Sequence, residues 1–215
     1  MASVIDIANL ALAHLGDDAS VASIDPPEGS SQAEHCARFY PIARDSMLES
    51  HDWNFTLRRK LLAQVDESSF HRQFAYQKPA DAIRIIQILP NTSSAENDGV
   101  EYELSNTEAG TALILTDLAD ATVRYTTRVT DTTKFSPLFV DALSWLLAAH
   151  LAGPVIKGDM GIAEAKRATQ MYLLILSAAK HSDANQRNAP PEHTPTWVSG
   201  RGQANPYLFD GKISR

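Results

Sequence analysis

The chain has 215 residues, a formal net charge of −7 and 44% hydrophobic residues, enough for one large domain or for a core domain with an inserted or appended piece. That acidic balance excludes a protein that wraps nucleic acid tightly, because such affinity comes mostly from neutralised phosphates; a protein that surrounds DNA without gripping it stays possible. Cys36 is the only cysteine, so neither an internal disulfide nor a Cys-based zinc site can form, and a reducing compartment is compatible.

The opening "MASVIDIANLALAHLG" lacks a basic leader and carries Asp6 inside its apolar stretch, so no secretory signal is expected. Residues 4–15 are predicted as a helix, with Ile5, Ala8, Leu12 and Leu15 at 3-4-3 spacing, Ser3 as its cap and Gly16 as its stop. "DDASVASIDPPEGS" reads as a loop from its Pro, Gly, Ser and Asp content. A second helix is predicted over 31–50, with Cys36, Tyr40, Ala43 and Met47 on one face. Pro41 lies inside it and should kink it, since an interior proline removes a hydrogen bond and crowds the preceding turn.

After Trp53 the texture changes. "NFTLRRKLLA", "AIRIIQIL", "VEYELS", "TALILTD" and "ATVRYTTRV" are short β-prone runs separated by turn-formers, and "NTSSAENDG" reads as a polar hairpin-type loop. In the last run Val123, Tyr125 and Thr127 alternate with Arg124, Thr126 and Arg128, which predicts one buried and one wet face.

Helix returns at Ser136, a good N-cap followed by Pro137 at the favoured first position. The stretch to His150 is apolar nearly all round and is predicted as the central, buried helix, ended by Gly153-Pro154. Its uncharged run between Asp141 and Lys157 is 15 residues, short of the roughly 20 that span a bilayer. A last helix is predicted from about 160 to 181, with a seam of Ile162, Ala165, Thr169, Tyr172, Leu176 and Ala179 suited to another helix of the bundle or of a neighbouring subunit. From 183 onward prolines, glycines and few aliphatics argue against independent packing. The spaced Trp197, Tyr207, Leu208 and Phe209 suit a tail that docks on another chain.

The expected fold class is therefore α+β, mainly α: a helical bundle (1–53 and 136–182), an inserted antiparallel β lobe (54–135) and an extended C-terminal arm (183–215). Helices far apart in sequence must pack together to bury their stripes, which makes the β segment a projection from the bundle.

Few residues invite catalysis. Ser50, His51 and Asp52 are consecutive, so their side chains diverge and cannot form a triad; His51 is expected to cap orphan carbonyls and Trp53 to plug the core between helices and sheet. Arg58, Arg59 and Lys60 fall in a predicted strand, with no glycine-rich loop, and read as a solvated edge or an interface. Glu101 and Glu103 share a strand face, as an acid–base pair would, but the polar flank suggests exposure. His14 and His150 sit in apolar helices without a carboxylate at ligand spacing. Ser144 lacks a nucleophile elbow, and Cys36 reads as a small core residue. No catalytic residue, metal site or cofactor is expected; an assembly component is favoured over an enzyme.

Two stretches carry a family likeness, "FYPIARDSMLESHDWNFTLRRKLLA" and "LILTDLADATVRYTTRVTDTTKFSPLFVDALSWLLAAHLAGPVI", with "FAYQKPADAIRIIQI" between them. Together they resemble the tail tubular protein A family, the head-to-tail connectors (tail adaptors) of short-tailed bacteriophages, over roughly residues 3 to 180. The resemblance implies a virion component, assembled in the host cytoplasm, that forms a dodecameric ring under the portal protein. The ring would join the tail nozzle protein and leave a channel through which double-stranded DNA passes without specific binding, with no membrane involved. It implies that the C-terminal segment reaches the portal, with Trp197, Tyr207, Leu208 and Phe209 as its anchors. Arg44, in the family-like "YPIARD", is expected to pair with a carboxylate of its own or a neighbouring subunit, since a charge beside core residues wants a partner. The competing expectations are a peptidoglycan-degrading hydrolase using Glu101 and Glu103 or another carboxylate pair, and another head-completion or assembly factor.

Overall fold

A computed structural model describes residues 2–18, 20–66, 72–91, 99–107 and 109–186. The chain divides into two units, Met1–Ala184 and Asn185–Arg215; the second lies almost wholly outside the described residues, as do Trp197, Tyr207, Leu208 and Phe209. The described part of the first is mixed α/β, with four α-helices and two antiparallel sheets.

Helix α1 (Val4–His14) begins at a capping box: Ser3 Oγ accepts from Asp6 N, and the Asp6 carboxylate accepts from Ser3 N. Its buried face is Ile7, Ala8, Ala11 and Leu12, so the stripe is rotated from the expected one and Ile5 is only half-buried. Helix α2 (Ser31–Glu49) is capped by Ser30 and buries Cys36, Tyr40, Ala43 and Met47 as the spacing predicts. It runs through Pro41 without interruption; one lost backbone bond does not outweigh a packed face on both sides of the proline.

The strands make two sheets. One has the order β1 (Leu57–Leu61), β7 (Ala121–Thr127), β4 (Ala82–Pro90); the other has β2 (Gln64–Val65), β3 (Phe74–Gln77), β6 (Ala112–Thr116), β5 (Tyr102–Asn106). The hairpin-type loop of 91–99 falls mostly outside the described residues. The expected wet face of β7 is not wet: Arg124 and Thr126 are 8% and 1% exposed. β7 is the central strand of its sheet, flanked by β1 and β4, and Thr126 Oγ1 is tied to the backbone of Arg84 on β4. Arg128, just past the strand, does reach solvent, with its side chain 54% exposed.

Helix α3 (Pro137–Ile156) starts where Ser136 Oγ accepts from Phe139 N. It does not stop at Gly153-Pro154 but continues to Ile156, closing at Lys157, whose N–H donates to Gly153 O. Its length and composition would allow a membrane span, yet it touches α1, α2 and α4. Its Phe139, Leu143, Leu147 and Leu151 are fully buried in their shared core. Helix α4 (Gly158–Ala184) extends past the expected end. It buries Gly161, Ala168, Leu176, Ala179 and Asp183, while Ile162 and Thr169 of the expected seam face out. The reason is local: a Cβ on Gly161 would stand 3.0 Å from Ala152 O, so α3 and α4 approach where only glycine fits.

One hydrophobic cluster joins the helices and takes in Trp53, Val129 and Phe135. A second joins strand residues, among them Tyr76, Ile88, Ile114 and Val123.

Candidate functional site

The segment where α2 passes into the strands is held by side-chain bonds to both neighbouring and distant residues. Ser50, His51 and Asp52 diverge as expected of neighbours. Ser50 Oγ donates to Met47 O at 2.8 Å, His51 Nε2 lies 3.4 Å from Asp183 Oδ2, and Asp52 accepts from Arg84 on β4. Met47 O, one of the orphan carbonyls at the end of α2, accepts from Trp53 Nε1 at 2.9 Å as well as from Ser50.

Trp53 is fully buried. Its ring meets Phe139 edge-on at 5.0 Å and lies 6.2 Å from Phe55. Phe55 in turn meets Phe135 and Phe139 at 5.7 and 5.2 Å. These four aromatics come from both ends of the strand segment, and edge-to-face packing adds to the area they bury. Thr56 closes the turn, with its N–H and Oγ1 both donating to Trp53 O.

Arg44 pairs within its own chain. Its guanidinium meets Asp45 at 2.8 Å with only 13% of the Arg44 side chain exposed, and Asp45 also accepts from Arg128 at 3.1 Å. Asp45 thus bridges α2 to the residue following β7.

Arg58, Arg59 and Lys60 are exposed on β1, an edge strand, as the solvated-edge reading expects. Arg59 lies opposite Arg124 in the ladder. Glu101 and Glu103 do converge, but on a cation that sequence reasoning missed. Arg72 reaches Glu101 at 3.3 Å, Glu103 at 3.4 Å and Asp117 at 2.8 Å. Asp117 also accepts from Gln73 N, and its carboxyl is held below the usual range, first by its bond to Arg72. With Glu101 86% and Glu103 50% exposed, both carboxyls face solvent and are held by Arg72, not enclosed in the dry surroundings of an acid–base pair.

His14 Nε2 lies 3.0 Å from Ser144 Oγ, and Ser144 Oγ donates to Asp141 O. Ser144's single proton is spent on that carbonyl, so the proton between the two side chains belongs to His14, the reverse of an activated serine. The His14 ring stacks on Trp145 at 3.7 Å, and Arg167 covers Trp145 at 5.5 Å. His150 stacks on Phe39. Burial pushes both histidines toward the neutral form, and it pushes the Cys36 thiol up to about 11, too high for a reactive thiolate. Among the described residues no group of His, Cys, Asp and Glu is arranged to hold a metal ion.

The residues that sequence reasoning missed, Arg72 and Asp183, owe their roles to partners 29 to 132 positions away. Composition places Asp183 in the arm, but it is buried and ties the end of α4 to Asn54. A polar residue at helical spacing below Leu176 and Ala179 was the available signal. The chain matches no protein-family model and no curated protein.

Proposed function

We propose that this chain is a structural head-to-tail connector (tail adaptor) of a short-tailed bacteriophage. In this reading it is a helical bundle with an inserted β lobe and an extended C-terminal arm. It binds the portal ring, assembles with its own copies into a ring around the DNA channel and offers the attachment platform for the tail nozzle. The observation that carries the reading is the aromatic joint. The two family-like stretches supply Trp53 and Phe55 on one side and Phe135 and Phe139 on the other, and these rings pack together. A net charge of −7 suits a wall past which DNA must slide, since negative surfaces repel phosphates. The anchoring of Glu101 and Glu103 to Arg72 works against a hydrolase.

The test is the solution mass by light scattering, alone and after mixing with the portal ring encoded beside it. A portal complex that is lost on deleting 187–215 supports the connector and its arm. The deletion must begin after Ala184, because removing Asp183 would damage the first unit itself. No association at any salt concentration would overturn the reading. Loss of peptidoglycan turbidity that Glu101→Gln abolishes would establish the hydrolase instead.

A further inference from the structure

Three arginines meet at one edge of the β segment. β1 (Leu57–Leu61) ends the three-stranded sheet and pairs only with β7 among the described residues. Arg58 and Arg59 are exposed on it. Arg59 lies directly opposite Arg124 of β7, and directly opposed residues send their side chains to the same face of a sheet. Arg58 is on the other face by alternation, yet it lines the same hollow, an open cavity of about 230 Å³ bounded by Leu57, Arg58, Arg59 and Arg124. No acidic side chain is among the described residues of that lining. Arg58 spends one N–H on Leu57 O, and no described carboxylate lies within ion-pair distance of Arg58 or Arg59. Arg124 is 8% exposed, so its charge is screened far less than theirs. Arg84 on β4 is already taken by Asp52, and Lys60 already acts on Asp81 of its own chain; neither belongs to the site.

We propose that this edge of β1 is a phosphate contact for double-stranded DNA, made without regard to base sequence. A guanidinium presents a planar fork of N–H donors that matches phosphate oxygens two at a time. An open edge strand adds backbone N–H groups, which also bind phosphate. The shape of the site favours a line of phosphates over a single acidic side chain. Its cations follow an extended strand of five residues, about 17 Å long, and a duplex carries one charge about every 3.4 Å along each strand. The chain as a whole has a net charge of −7, which repels the duplex elsewhere and keeps the contact weak and confined to this edge. So few arginines neutralise too few phosphates to stop a moving duplex. The inference rests on the connector reading, in which DNA travels past this chain, and names the surface that meets it.

The probe is a fluorescent DNA duplex of about 20 base pairs, titrated with the full chain and followed by anisotropy from about 25 to 200 mM salt. Wild type is expected to bind two unrelated sequences equally and to weaken as salt rises. Arg58→Gln/Arg59→Gln is expected to weaken binding at low salt by about fivefold or more and to lower the slope of log affinity against log salt by about 2. Lys134→Gln/Lys166→Gln removes the same charge from exposed positions elsewhere and is expected to leave affinity and slope as in wild type. Circular dichroism and melting of each variant check that the fold is kept. No binding by wild type at the lowest salt would overturn the proposal. So would arginine variants that bind like wild type, or a lysine control that loses as much. Poly-glutamate that displaces the duplex at equal charge would overturn it in favour of an acidic protein partner, and inorganic phosphate that does so in favour of a small anion. Portal binding is measured separately. A portal complex without arginine-dependent DNA binding would remove the contact and leave the connector standing. Arginine-dependent DNA binding without portal association would do the reverse.

Discussion

Asn54 and Asp183 are 129 positions apart, and the backbone N–H of Asn54 donates to both oxygens of the Asp183 carboxylate, at 3.2 and 3.1 Å. The Asn54 side chain returns the contact, its Nδ2 donating to Asp183 O at 2.7 Å. The last turn of α4 is thereby fastened to the residue that follows Trp53. Asp183→Ala removes this carboxylate acceptor from a part-buried amide and is expected to cost about 1 kcal/mol. The midpoint of urea unfolding measures this, and an unchanged midpoint would show that the fastening contributes nothing.

The Tyr40 hydroxyl is buried and has no hydrogen-bond partner among the described residues. Tyr40→Phe removes a polar group that was dehydrated on folding without recompense and keeps the ring that packs. Stability is expected to rise by up to roughly 1 kcal/mol, visible as a higher melting temperature. A fall would mean that the hydroxyl has a partner after all.

Acid should loosen the helical core. The pKa of His14 is lowered in the folded chain, chiefly by burial, with Arg167 adding to the shift and Asp141 opposing it. A folded pKa below the unfolded one means that the unfolded chain takes up the proton first. The stability that neutral His14 contributes is full above the unfolded value of about 6.5 and is lost as pH falls toward the folded value. His150 shifts the same way through burial. Melting temperature should drop between pH 7.5 and pH 5.5, and His14→Gln should flatten that slope. An equally steep slope in the variant would exclude His14 as a source.

The turn between α3 and α4 carries strain at a residue that can be replaced. Lys157 has φ 61 and ψ 167, a region that essentially only glycine occupies at low cost. Lys157→Gly should stabilise by about 1 kcal/mol once the greater freedom of the unfolded chain is subtracted. At Gly161 the opposite holds. A side chain there meets the Ala152 carbonyl, and Gly161→Leu should destabilise by about 1–3 kcal/mol through forced separation of the helices. Thermal melts of both variants test the pair of opposite signs.

Local signals were legible where one residue decides the structure. Ser3, Ser136 and Pro137 start their helices as read, and the α2 stripe from Cys36 to Met47 is buried as spaced. Trp53 was recognisable as a core residue because a large apolar ring at the end of an amphipathic helix has few other places to go. What escaped depends on small or distant residues. The buried face of α4 is set by Gly161 and Ala168, which carry too little hydrophobic surface to stand out beside Ile162. The second sheet includes β2, only two residues long, below what alternation can reveal. Of the proposed site residues, Arg44 does meet a carboxylate, and that this is Asp45, shared with Arg128, rests on the meeting of α2 with the end of β7.

The placement of α3 also sets a timetable for synthesis. α1 and α2 bury their stripes against a helix that begins only at Pro137, after every strand has been made. At about 5–20 residues per second, the apolar faces of the first two helices wait seconds on the ribosome for their partner. A nascent chain halted before Ser136 should therefore be a chaperone client and insoluble once released. Release of a chain that includes α3 lets the core close.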